Sequence, residues 1–99
     1  MLESVKIGPV AVEVPIGLAP MAGVTDLIYR KICKEMGAGL LCTEMVSAKA
    51  IVYQNKNTDQ IMRTEKSESP VALQLFGNDP EFLAESVRVT NDAPYDIIV

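Results

Sequence analysis

The 99 residues carry a formal charge of −4, with 48% apolar and 5% aromatic side chains. That acidic balance argues against a domain that grips nucleic acid by bulk positive charge, and the apolar share argues against a disordered chain. Histidine is absent and the two cysteines, Cys33 and Cys42, lack metal-site spacing, which excludes imidazole catalysis, a zinc finger and a disulfide framework within these residues.

The first apolar stretches, Val5-Lys6-Ile7 and residues 10–14, alternate loosely around Gly8-Pro9 and predict two short strands in a hairpin. Residues 16–19 follow as a short apolar strand closed by Pro20. Thr25 or Asp26 then caps a helix whose buried face is Leu27, Ile28, Ile32, Cys33 and Met36, with Arg30, Lys31, Lys34 and Glu35 on the wetter side. Gly37 suits the position just past that helix. Residues 40–43 read as a buried strand, and Ser47 begins a second helix over 48–53, with another turn or two at 58–63. Residues 64–69 read as a polar loop and residues 71–76 as a third strand. Asp79 caps a further helix, with Pro80 at its first position and Phe82, Leu83, Val87 and Val89 as its buried stripe. Residues 95–99 begin another strand.

The order after the hairpin is thus repeated βα units with near-continuous apolar strands, the pattern of an α/β fold. An open doubly wound sheet and a (β/α)8 barrel both produce it. Residues 96–99 read as a strand with no helix after it, and four parallel strands are half of a barrel that needs about 250 residues. The expectation is therefore a fragment, the N-terminal half of a TIM (β/α)8 barrel preceded by a short β-hairpin. A complete four-stranded domain is the alternative. No window is apolar for 18 residues, and the stretch from Met1 to Lys6 has the pattern of neither a signal peptide nor a transit segment. A cytoplasmic protein without a membrane segment is expected.

Ligands of parallel α/β folds meet the C-terminal ends of the strands. In the first such segment, Pro20 fixes the chain, Met21 and Ala22 offer apolar surface, and Gly23 permits close backbone approach. A flat aromatic ligand suits that ledge, although an ordinary Pro/Gly turn into a helix has the same composition. Gln74 interrupts an apolar strand, where a buried amide needs partners. Its amide both donates and accepts, which matches a heterocycle alternating N–H and C=O, or equally a structural hydrogen bond. Glu44 directly follows a strand and has three available roles: binding a ligand, holding a basic neighbour or meeting solvent. Cys33 and Cys42 read as small core hydrophobes. Lys49, Lys56, Arg63 and Lys66 form a sparse basic series that reads as a solvated helix face, or as phosphate contacts if gathered on one rim.

Taken together, these segments resemble the N-terminal part of the bacterial tRNA-dihydrouridine synthases, over essentially the whole chain. The resemblance rests on Lys6-Ile7-Gly8, Leu18-Ala19-Pro20-Met21-Ala22-Gly23-Val24-Thr25-Asp26, Cys42-Thr43-Glu44-Met45-Val46-Ser47-Ala48, Gln74-Leu75-Phe76-Gly77 and Asp79-Pro80 in that order. It implies an FMN-containing TIM barrel that reduces uridines of tRNA to 5,6-dihydrouridine with NADPH, on a base taken out of the stack. By position, Pro20, Met21 and Ala22 would line FMN, Gln74 would hydrogen-bond the polar edge of its ring, and Glu44 would organise the site or contact substrate. The family's proton-donating cysteine is neither Cys33 nor Cys42. It follows the fourth strand in an Asn-x-Gly-Cys-Pro segment, beyond Val99. The resemblance likewise places the remaining phosphate contacts, the second half-barrel and a C-terminal helical tRNA-binding domain outside residues 1–99. Other FMN barrels, dihydroorotate-dehydrogenase-like or ene-reductase-like, fit the combined segments less well. A non-enzymatic, self-associating α/β module is the alternative of a different class.

Overall fold

In the computed structural model, which describes residues 3–99, β1 (Val5–Ile7) and β2 (Val10–Val12) form the expected antiparallel hairpin, with Val5 opposite Val12. Gly8 makes its turn at a φ of +57°, a region open to glycine without strain. Met1 and Leu2, which open the stretch read as non-targeting, lie outside the described residues.

Everything after the hairpin pairs in parallel. Gly17 bridges Leu40, β3 (Leu41–Cys42) pairs with β5 (Val71–Leu73), and β5 pairs with β7 (Ile97–Ile98). Neighbours in space are therefore neighbours in sequence. Among the described residues the order does not reverse as a doubly wound sheet does at its switch point, and the architecture is that of a partial, unclosed TIM-barrel-like sheet. A second parallel pair, β4 (Val46–Ser47) with β6 (Leu75–Phe76), prolongs the β3/β5 pair toward the C-terminal ends of the strands.

The strand expected over residues 16–19 is reduced to that single Gly17–Leu40 bridge. Two bonds still align it, Leu18 N–H to the Leu40 carbonyl and Gly39 N–H to the Ile16 carbonyl, both 2.8 Å. Pro15 and Pro20 flank the segment and lack the N–H that would extend a ladder. Close approach also dictates Gly39, where a Cβ would lie 1.7 Å from the Val14 carbonyl oxygen.

Polar caps start the helices where the sequence places them. Asp26, rather than Thr25, caps α1 (Leu27–Glu35) by accepting from Tyr29 N–H at 2.8 Å. Ser47 caps α2 (Ala48–Val52), and Asp79 caps α4 (Pro80–Thr90) with Pro80 in the first turn. The turns expected over 58–63 start earlier, as α3 (Lys56–Ile61), because the Asn55 side chain accepts from Asn57 N–H and caps it. Helices α2 and α4 pack together, and the Tyr53 and Phe82 rings tilt against each other at 5.7 Å. Both crossovers thus cover the same face of the sheet, as right-handed connections between successive strands require. The core between them is Val46, Ile51 and Leu73, joined by Leu75, Tyr95 and Ile98.

Two predicted buried faces are corrected. On α1, Ile28, Ile32 and Met36 are exposed, at 69%, 54% and 85%, whereas Arg30 is wholly buried. The cause lies in the 64–69 segment, which is more than a polar loop. Its 3-10 turn (Lys66–Glu68) buries Glu68 completely, and Arg30 Nε donates to Glu68 Oε1 at 2.8 Å. The same guanidinium donates from Nη1 to the Thr25 carbonyl and from Nη2 to the Arg63 carbonyl. On α4, Ser86 and Thr90 are buried while Val87 and Val89 are exposed. Their hydroxyls bond to carbonyls of their own helix, at Leu83 and Ser86, and so tolerate removal from water.

A buried ion pair is costly to break, so Arg30→Met is expected to lower unfolding free energy by about 3–5 kcal/mol in urea titrations. The double change Arg30→Met/Glu68→Leu removes both charges and is expected to cost less than the single one. Burial holds the Tyr95 hydroxyl un-ionised, its pKa raised from 10 to about 12, and that hydroxyl donates to the Met62 carbonyl. Its contribution to stability is therefore complete below pH 10 and is lost as pH rises through 12. In Tyr95→Phe that alkaline loss, followed by circular dichroism, is expected to be smaller.

Candidate functional site

Because the strands follow in sequential parallel order, their C-terminal ends bring four segments side by side: residues 20–25, residues 43–45, residues 74–76 and Val99. Each of the first three contains residues singled out from sequence, and hydrogen bonds link them.

The first segment is a tight turn. Val24 and Thr25 N–H both donate to the Met21 carbonyl at 3.0 Å, and Met21 N–H donates to Thr25 Oγ1 at 2.8 Å. Gly23 takes a φ of +79°, which a side chain would strain. Its N–H donates to Glu44 Oε1. Pro20 is half-buried, while Met21 and Ala22 are exposed, Met21 to 61%. The ledge is thus held from both sides, by the Glu44 carboxylate at Gly23 and by the Arg30 guanidinium at the Thr25 carbonyl.

The second and third segments meet where the ladder slips. Cys42 faces Ala72 before the slip and Val46 faces Leu75 after it, so residues 43–45 oppose only 73–74. The extra residue is a bulge in the β3–β4 strand, and it splits the single strand predicted over 71–76 at Gln74. Gln74 N–H donates to Thr43 Oγ1 at 3.1 Å, and the Gln74 carbonyl accepts from Val46 N–H at 2.8 Å. The Gln74 side-chain oxygen, Oε1, is buried without a hydrogen-bond partner. Leaving such an acceptor unpaired costs about 1–3 kcal/mol, which makes it the atom of this rim most in need of a donor.

The same strand ends carry exposed apolar side chains: Met21, Met45 at 52%, Phe76 at 48% and Val99 at 65%. One unsatisfied amide oxygen amid apolar surface suits a flat ligand with a polar N–H edge. A cleft of about 520 Å³ lies elsewhere, lined by Val52, Phe82 and Arg88 on the helical side. Among the described residues no cluster of His, Cys, Asp or Glu could hold a metal ion, and no helix is long and apolar enough to cross a membrane.

The remaining candidates have structural surroundings. Cys33 and Cys42 are free and half-buried, and burial pushes the Cys42 thiol above its ordinary value against a smaller opposite pull from Arg30. The Lys49 ammonium sits 5.5 Å from the centre of the Phe82 ring. Sequence reasoning missed Thr43, which is fully buried at the centre of the slip. The available signal was the one that marked Gln74, a polar residue inside an apolar strand.

Residues 17–99 match the family model for dihydrouridine synthase (Dus). The chain is 36% identical over 93 residues to a probable tRNA-dihydrouridine synthase of Treponema pallidum, covering 94% of this chain and 27% of that protein. It is 33% identical over 97 residues to tRNA-dihydrouridine synthase B of Pseudomonas syringae, covering 98% of this chain and 29% of the relative. With the corresponding protein of Pseudomonas aeruginosa the identity is 34% over 87 residues, covering 88% and 26%. The chain therefore spans little more than a quarter of the length of these relatives.

If Glu44 holds the ledge, Glu44→Ala is expected to speed hydrogen exchange at Gly23 about tenfold or more, the loss of a charge-assisted bond. Glu44→Gln keeps an acceptor there and is expected to fall between the two.

Proposed function

The chain belongs to the dihydrouridine synthase family, and from that premise we propose that the complete protein carrying it reduces uridine in tRNA to 5,6-dihydrouridine, with FMN as cofactor and NADPH as reductant. Residues 1–99 are, in this reading, a partial FMN-binding barrel domain. Proton donation, phosphate binding and the helical tRNA-binding region belong to sequence beyond Val99. We place the protein in the cytoplasm with tRNA as its macromolecular partner.

One observation carries the assignment of the cofactor's place: the buried, unpartnered Oε1 of Gln74 on an otherwise apolar rim. Pro20, Met21 and Ala22 form the ledge against which the flavin ring rests, and Gln74 accepts a hydrogen bond from the ring's N–H edge. Glu44 acts at one remove by fixing the Gly23 turn through its carboxylate. FMN, when bound, supplies the hydride chemistry. This chain contributes orientation, an apolar surface that excludes water and a satisfied hydrogen bond at the ring edge. Its two cysteines take no part, since Cys33 lies on α1 and Cys42 is held as a neutral thiol by burial.

The test is the flavin content and activity of the complete protein. It is expected to purify with FMN and to reduce uridine in unmodified tRNA when NADPH is supplied. Gln74→Leu is expected to weaken FMN binding about tenfold to a hundredfold, the loss of a hydrogen bond to a buried amide. Residues 1–99 alone are expected to bind FMN weakly and to show no turnover. A complete protein free of flavin, or one whose Gln74→Leu form binds FMN undiminished, would overturn the assignment.

A further inference from the structure

We infer that Thr43 is a positioning residue of the flavin site, its hydroxyl standing in for a backbone carbonyl so that Gln74 and Glu44 are set by a single group. The inference rests on the reading of Gln74 as a flavin contact.

In an unbroken parallel ladder the amide of residue 74 would bond to the backbone carbonyl of residue 43. The bulge displaces that carbonyl, and the Gln74 N–H bonds instead to Thr43 Oγ1 at 3.1 Å. The hydroxyl spends its own proton on the Glu44 carbonyl, at 3.0 Å. With the proton committed there, a lone pair is left for Gln74, so the direction of both bonds is determined. Thr43 is entirely buried, so water cannot replace the hydroxyl without a rearrangement.

The two bonds reach different parts of the rim. One fixes the peptide of Gln74, and with it the direction of the side chain whose Oε1 is unpartnered. The other fixes the peptide of Glu44, whose carboxylate holds Gly23 and hence the ledge of Pro20, Met21 and Ala22. Thr43 thereby couples the polar contact to the apolar one. Its branched Cβ restricts χ1 and keeps the hydroxyl aimed, an effect serine provides less firmly.

The decisive experiment uses the complete protein in five forms: wild type, Thr43→Val, Thr43→Ser, Gln74→Leu and Thr43→Val/Gln74→Leu. Thr43→Val is expected to weaken FMN binding about tenfold, alter the visible flavin spectrum and speed amide exchange at Gln74. Thr43→Ser is expected to restore binding to within about threefold, since it returns the hydroxyl with a looser rotamer. In the double variant the penalties are expected to add only in part, because one share of the Thr43 effect runs through Gln74 and the other through Glu44 and the ledge. Full additivity, or wild-type affinity and spectrum in Thr43→Val, would overturn the inference. Should Thr43→Val fold poorly, Thr43→Ala against Thr43→Ser supplies the same comparison. Absence of FMN from the wild type would instead overturn the flavin reading, and exchange at Gln74 in the Val and Ser forms would still decide whether the hydroxyl holds that peptide.

Discussion

A guanidinium shut away from water must place its donors on acceptors, and Arg30 does so by drawing three distant stretches of chain together. Its partners are the Thr25 carbonyl before α1, the Arg63 carbonyl after α3 and the Glu68 carboxylate in the 3-10 turn. An unpaired charge in this position costs several kcal/mol, so alternative packings of α1 that expose or orphan it are disfavoured. The consequence reaches the rim at the C-terminal ends of the strands. The turn carrying Met21 and Ala22 is tied down at Thr25 by Arg30 and at Gly23 by Glu44, which sets it on a rigid support.

The rim follows from the same requirement that buried polar groups be satisfied. Thr43 and Gln74 both enter strands that are otherwise apolar, and the one-residue slip of the ladder is where their hydrogen bonds are settled. After the backbone amides and the hydroxyl have found partners, the Gln74 carboxamide oxygen has not. This unpartnered acceptor belongs to the same set of strand ends that carries the exposed Met21, Met45, Phe76 and Val99 side chains. The chain belongs to the dihydrouridine synthase family and spans little more than a quarter of the length of the relatives it matches.

Much of the fold was legible in residue order. Gly8-Pro9 marked the hairpin, Asp26, Ser47 and Asp79 marked helix starts, and the apolar runs marked the strands. These features are local, since a cap or a turn depends on residues within a few positions. The segments at the strand ends were legible too, because Pro20, Met21, Ala22, Glu44 and Gln74 follow or end apolar runs and the parallel order brings those ends together. Helix faces were less legible. The period of α1 named an apolar stripe but not what would cover it, and the covering partner turned out to be Glu68 against Arg30.

By itself, then, the sequence determined the succession of βα units, their caps and the identity of the residues at the strand ends. Only the tertiary structure decided that α1 buries its arginine, that the third strand breaks at Gln74, and that a threonine hydroxyl joins Gln74 to Glu44. The physical reason is one of range: caps and turns are satisfied by near neighbours, whereas a buried charge or amide is satisfied by whatever distant group the packing delivers.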